Sequence, residues 1–267
     1  DRYVGKKGFR EIVDILNKNG VDIGYIRERE LFIDVYRFMV TKHVLNAIDW
    51  NNFSKDSLFQ LTFPQPGMIK EDVVKAYVEA PDKASRKQVV KDHLESVNPH
   101  DGKQLLNKPW YEGEEGDMEI LEGGQHKYPH VHLIFDKTTQ SCFSFCTYCF
   151  RHAQVRGDED MFIQYNVKPV HEYIKKHKEI TDILITGGDA GNMPADRMEE
   201  YLLPVIDDPE LAHIKTVRLG TRVLSYQPEL ILTREYERHL SLFKKLIDNG
   251  IQEIGRASCR ERVYTKV

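Results

Sequence analysis

The 267-residue sequence is poor in cysteine, with four, and three of these fall between positions 142 and 149. A disulfide framework needs its cysteines spread along the chain, so this clustering excludes a disulfide-stapled fold and points to metal chemistry in a reducing compartment. Long apolar runs are also missing. The most apolar stretch of the first half, residues 31–40, is interrupted by Asp34 and Arg37, and nothing reaches the roughly 18 uncharged residues of a membrane span. No signal peptide is visible, which makes the cytoplasm the expected location. Blocks of Lys or Arg do not occur, and the net charge is −4. The electrostatic footprint of a nucleic-acid binder is therefore lacking, and a small substrate held by local charges is expected instead.

What is present is enough apolar residue, 40% of the chain, to bury a core. Residues 1–97 read as a helical region. Phe9, Ile12, Val13 and Leu16 fall on one helical face, and Leu31, Phe32, Val35, Phe38 and Met39 repeat the spacing. Pro64, Pro66 and Gly67 interrupt it before helices resume over 70–77 and 84–97. Residues 98–130, rich in Gly and Pro with an acidic run at 112–117, read as a linker.

From Val131 the pattern changes to alternating strands and helices: strands over 131–135, 182–186 and 215–220, helices over 170–178 and 195–206, and a last helix. That last helix has Thr233 as its expected N-cap, Gly250 just past its end, and an apolar stripe of Tyr236, Leu240, Phe243 and Ile247. This order predicts an α/β fold with a parallel sheet. Residues 131–252 would form the first three β/α units of a partial TIM-like barrel. Residues 253–267 stand apart, because Glu253 to Val263 reads as a translated sequencing adapter. The tail is thus expected to be non-native, Cys259 to have no function, and the natural chain to be truncated.

The chemistry concentrates in Cys142, Cys146 and Cys149, spaced C-x3-C-x2-C directly after the first strand of the array. Three thiolates can ligate three irons of a [4Fe–4S] cube and leave the fourth open to a substrate or cofactor. Zinc is the competing reading, with His152 completing a Cys3His set. A second motif, Thr186-Gly187-Gly188-Asp189, ends the second strand. Glycines there allow close approach of the backbone to a ligand, and Asp189 adds a carboxylate suited to an ammonium group.

The cysteine spacing, with the aromatic Tyr148 before the last cysteine, resembles the signature of radical S-adenosylmethionine enzymes. The resemblance implies that S-adenosylmethionine chelates the open iron, with Gly187, Gly188 and Asp189 at its amino group. An external one-electron reductant would then drive its cleavage to a 5′-deoxyadenosyl radical. Within that family, residues 63–252 are most similar to the lysine 2,3-aminomutases. The similarity is carried by His126-Lys127-Tyr128-Pro129, by Arg151, by residues 185–190 and by Arg218-Leu219-Gly220-Thr221-Arg222.

The resemblance implies that Arg151 binds the substrate carboxylate and that Lys127 and Tyr128 hold the phosphate of pyridoxal phosphate. The chain departs from the family where Lys127 replaces the usual arginine and Val131 stands where a second arginine is expected. The Schiff-base lysine of the family would lie beyond this chain, and Arg218 and Arg222 carry no assignment. The implied activity is migration of an amino group from C2 to C3 of a small amino acid, lysine being the commonest substrate, in a protein for which a homo-oligomer is compatible. Two alternatives stand beside it: a radical enzyme without pyridoxal phosphate, and a zinc-stabilised binding module.

Overall fold

The computed structural model describes residues 2–97, 107–113, 115–156 and 161–256, without the side chains of 253–256. Cys259 and residues 257–267 of the expected tail lie outside the described residues, as does the first part of the expected linker. Two compact units make up the chain, Asp1–Gln104 with Phe143–Arg156, and Leu105–Cys142 with Gly157–Val267. No helix among the described residues is long and apolar enough to cross a membrane.

In the first unit the helix Gly5–Lys18 buries Phe9, Ile12, Val13 and Leu16, the face that the spacing predicts. The helix Ile26–Val35 buries Leu31, Phe32 and Val35 but stops before Phe38. Met39–Thr41 instead forms a strand pairing antiparallel with Arg2–Val4, an arrangement suited to the β-branched Val40 and Thr41. The short helices that follow are capped by side chains: Thr41 Oγ1 accepts from the Val44 N–H at 3.2 Å, and Asp56 Oδ1 from the Phe59 N–H at 2.8 Å. Past the prolines, helices span Glu71–Glu79 and Lys83–Val97. The unit's centre is aromatic, with Phe38 edge-on to Phe9 and Phe63 at 5.4 and 5.3 Å and Phe59 stacked on Phe63 at 4.8 Å.

The second unit is built on a five-stranded sheet with its strands in chain order, β1 (Gly124–Tyr128), β2 (Val131–Ile134), β3 (Asp182–Ile185), β4 (Thr216–Gly220) and β5 (Gln252–Arg256). The β1–β2 pair is antiparallel and every later pair is parallel. Helices α1 (Lys168–Lys176), α2 (Ala195–Asp207) and α3 (Arg234–Asp248) make the crossovers. Strand alternation sorts the side chains by face. Ile134, Ile183, Ile185, Val217 and Leu219 pack in one core with Val170, Ile174, Leu202, Val205, Leu242 and Leu246 of the helices. The opposite face holds a smaller cluster, Leu133, Phe135, Phe162 and Leu184 with Val131 against it. All three helices thus contribute to one face of the sheet.

The α/β class and the three expected β/α units are present, while the sheet among the described residues is open and no closed barrel forms. Two spans differ from the sequence pattern. The span 98–130 contains the antiparallel strands Trp110–Glu112 and Met118–Ile120 as well as β1. Their side chains are largely exposed, so no alternation of apolar residues marks them. Strand β5 takes in residues 253–256, which the sequence assigns to the tail; pairing along an open parallel edge uses backbone groups, and these are available whatever the side chains are.

Helix α3 is rotated from the expected stripe. It buries Tyr236, His239, Leu242 and Leu246, whereas Leu240 and Ile247 are 45% and 57% exposed. His239 decides the rotation, because its Nε2 meets the Met193 carbonyl at 2.8 Å and its ring stacks on Tyr236 at 4.4 Å. Thr233 is the N-cap residue, as expected, although its hydroxyl donates to the Leu230 carbonyl and makes no side-chain cap. Gly250, with φ of 79°, follows the helix end in the left-handed conformation that favours glycine.

Candidate functional site

The first half of the cysteine loop is anchored at its base by a buried carboxylate. Asp136, two residues past the end of β2, is fully buried and accepts from the N–H and hydroxyl of Thr138 at 2.8 and 2.6 Å. Its second oxygen receives Arg197 Nε at 2.8 Å and the Tyr201 hydroxyl at 2.9 Å. Two side chains of α2 therefore hold the turn Lys137–Thr139 against the strand ends. Burial and the Asp136 charge together push the Tyr201 phenol far up, so it remains a donor. The Asp-x-Thr sequence closing the strand is an Asx-turn signal that sequence reasoning passed over.

From this turn the loop meets the glycine motif. The Thr139 carbonyl accepts from the N–H groups of Gly188 and Asp189 at 2.7 and 3.0 Å, and the Thr139 hydroxyl donates to the Thr186 carbonyl at 2.6 Å. A Cβ on Gly188 would lie 2.7 Å from the carbonyl carbon of Ser141, and one on Gly187 would lie 2.9 Å from the Thr139 carbonyl oxygen. Gly187 also has φ of 138°, which L residues rarely adopt. Asn192 completes the contact by donating to the Ser141 carbonyl at 2.6 Å. Glycine is thus required here for approach to the segment leading into Cys142, a use that the sequence alone did not separate from ligand approach.

Asp189 is fully buried. Its oxygens accept the N–H groups of Gly191 and Arg222, each at 2.8 Å, so the carboxylate fastens the end of β3 to the end of β4. Arg218 pairs with Asp182 at 2.8 Å, and the Arg222 guanidinium lies 5.5 Å from the Tyr226 ring.

Residues Phe143–Arg156 belong to the first unit. Phe143 and Phe145 are buried there, and Ser144, also buried, accepts the Thr41 N–H at 3.2 Å. The Phe145 N–H donates to Met39 at 2.7 Å, and the Thr147 N–H to Leu61 at 2.8 Å. A turn closed by the Cys149 N–H on the Cys146 carbonyl at 3.0 Å brings the chain to the short helix His152–Arg156. His152 packs edge-on against Tyr36 at 5.1 Å. Phe143 and Phe145 are therefore buried between the half-buried Cys142 and Cys146 and fix this stretch of the loop.

Cys142, Cys146 and Cys149 are each half-buried and in no disulfide. Burial, reinforced by the neighbouring Cys146, pushes the Cys149 thiol up to about 11. A bound cation reverses that balance, because it stabilises the thiolate directly. Tyr148 and Phe150 are 41% and 58% exposed, and the Arg151 guanidinium lies 5.2 Å from the Phe150 ring. Lys127 and Tyr128 are exposed at the turn that enters β2, with Lys127 Nζ 5.8 Å from the Tyr128 ring. They therefore sit at the opposite end of β2 from Cys142, and the structure does not bring them together with Gly187, Gly188 and Asp189.

Comparison with known proteins adds to this geometry. Over 137 residues the chain is 31% identical to an L-lysine 2,3-aminomutase of Bacillus subtilis, covering 51% of this chain and 27% of that protein. Over 199 residues it is 24% identical to an L-lysine 2,3-aminomutase of Methanococcus maripaludis, covering 74% of this chain and 37% of that protein. A glutamate 2,3-aminomutase of Clostridioides difficile is 31% identical over 105 residues, covering 39% of this chain and 24% of that protein. The chain spans between about a quarter and somewhat over a third of the length of these relatives. No protein-family model matches it.

Proposed function

We propose that this lysine 2,3-aminomutase-like chain, of the radical S-adenosylmethionine family, is part of a cytoplasmic isomerase that moves the amino group of a small amino acid from C2 to C3. The observation that carries the reading is the joining of its two motifs: the Gly188 and Asp189 amides hydrogen-bond to Thr139, three residues before Cys142. The placement of all three crossover helices on one face of the sheet supports a β/α array of the barrel kind.

The donor set fits the implied cluster, since three thiols outside any disulfide offer soft ligands and leave one iron open. When bound, a [4Fe–4S] cluster, S-adenosylmethionine and pyridoxal phosphate would together supply a 5′-deoxyadenosyl radical and a carrier for the migrating nitrogen. Cys142, Cys146 and Cys149 would act as ligands, and an external reductant would deliver the electron. Tyr148, Gly187, Gly188 and Asp189 would shape the S-adenosylmethionine site, Asp189 by fixing the strand ends rather than by reaching solvent. Arg151 would grip the substrate carboxylate through two parallel hydrogen bonds. Lys127, beside Tyr128, would neutralise a phosphate as a point charge only at the entry end of β2, away from the cysteine loop.

One observation favours the radical enzyme without pyridoxal phosphate. Val131 packs against Leu133, Phe135, Phe162 and Leu184, so the position where the family carries a second arginine offers a phosphate no charge. The two readings separate when the complete gene product, reconstituted under argon with iron, sulfide and S-adenosylmethionine, receives 15N,13C-labelled lysine and glutamate with and without pyridoxal phosphate. Appearance of the 3-amino isomer only when pyridoxal phosphate is present supports the aminomutase. Release of 5′-deoxyadenosine with no isomer from either amino acid would count against it and for the alternative.

A further inference from the structure

A second group of potential ligands lies at the strand-entry end of the sheet, away from the cysteine loop. His126 on β1 and His177 and Glu179 in the α1–β3 connection each place one ligand atom within 4.8 Å of the others. We propose that these three residues form a divalent-metal site of the zinc class, independent of the cysteines and of the function assigned above.

The chemistry of the three donors suits such an ion. Two imidazoles and one carboxylate are ligands for zinc and its first-row neighbours, and three protein donors leave a fourth position for water. The tautomer of His126 is fixed by its surroundings. Its Nε2 lies 3.1 Å from the Pro129 carbonyl, which can only accept, so Nε2 carries the proton and the lone pair is on Nδ1. An imidazole N–H held by a carbonyl is the outer-shell arrangement that orients metal-bound histidines. At present Nδ1 faces the Tyr173 hydroxyl at 2.7 Å, a neutral partner that a cation would displace. His177 Nδ1 meets Glu179 Oε1 at 2.9 Å, so the carboxylate is already drawn toward the imidazoles.

The ground beneath the cluster has the same bias. His132 is fully buried next to His126, with ring centroids 6.1 Å apart, and neither of its ring nitrogens has a partner. Tyr173 packs on His132 at 5.3 Å and on His177 at 4.1 Å. The rings of His126, His132, His177 and Tyr173 thus pack on one another beneath the three donors. Tetrahedral zinc needs its ligand atoms about 3.3 Å apart given bonds of about 2.0 Å. The exposed Glu179 has the freedom to close that gap. A metal held here would cross-link β1 to the α1–β3 connection.

Anaerobic titration of the whole chain with cobalt(II) after chelator treatment tests the proposal, because cobalt reports its ligands in the visible and near-ultraviolet spectrum. The expected result is one equivalent bound without thiolate-to-cobalt charge transfer, distinct from any cobalt that the cysteines bind with it, and competed by zinc. Affinity should fall at least about tenfold in Glu179→Gln and in His177→Asn, while far-ultraviolet circular dichroism stays unchanged. Glu179 is exposed, so its variant tests the site without threatening the fold. Unchanged cobalt affinity in both variants, or a spectrum showing sulfur ligation alone, would overturn the proposal.

Discussion

His132 places an imidazole where water cannot reach it, against His126 and Tyr173. Burial first, and the neighbouring His126 and His177 second, lower its pKa from 6.5 to about 3. Above about pH 6.5 the folded and unfolded chains both hold this ring neutral. Between that pH and about 3 only the unfolded chain takes up the proton, so stability falls as the pH falls, by about 1.4 kcal/mol per pH unit. In His132→Phe, denaturant unfolding between about pH 6.5 and 5 should show a pH slope smaller by about that amount; an unchanged slope would show that His132 titrates normally. Gly188 supports a second expectation. An added Cβ would press on the Ser141 backbone, so Gly188→Ala should cost about 1–3 kcal/mol. A urea midpoint equal to that of the parent would contradict the close approach.

At the scale of elements, the legible features were those set by local spacing. Phe9, Ile12, Val13 and Leu16 announced their helix, and the three parallel strands were visible as apolar runs. Illegible features were set by tertiary partners. Met39–Thr41 fits a helical period but pairs with Arg2–Val4, and nothing near residue 40 in sequence reveals that partner. The α3 stripe fails for a similar reason. Two apolar faces compete on that helix, and the Met193 carbonyl selects the one carrying His239. Leu246→Ala should therefore cost about 2–5 kcal/mol, whereas Ile247→Ala should stay within about 0.5 kcal/mol. Equal losses in thermal or urea unfolding would restore the face that the sequence pattern suggests. In the candidate site, spacing alone groups the three cysteines, whereas the packing of Gly187 and Gly188 against Thr139 and Ser141 was not legible in it. The anchor of Asp136 with Arg197 and Tyr201 was not, because α2 lies some sixty residues downstream of β2.

Across the whole molecule, chemistry-bearing residues separate by strand end. Gly187, Gly188, Asp189 and the approach to Cys142 occupy the carboxyl ends of β2 and β3, where loops of β/α arrays carry function. Lys127, Tyr128 and the His126, His177 and Glu179 group lie at the entry ends. The sheet supplies rigidity between these two levels, and its helix-covered face supplies most of the second unit's core. The central claim is that Cys142, Cys146 and Cys149 hold a radical-generating iron–sulfur cluster. Its most direct test is an anaerobic assay of the complete gene product for iron, sulfide and, after reduction with dithionite, 5′-deoxyadenosine released from S-adenosylmethionine. The account predicts a brown protein with about four irons that releases 5′-deoxyadenosine, and loses both properties when any one of the three cysteines becomes alanine. A colourless protein that binds stoichiometric zinc through these cysteines and leaves S-adenosylmethionine intact would contradict it.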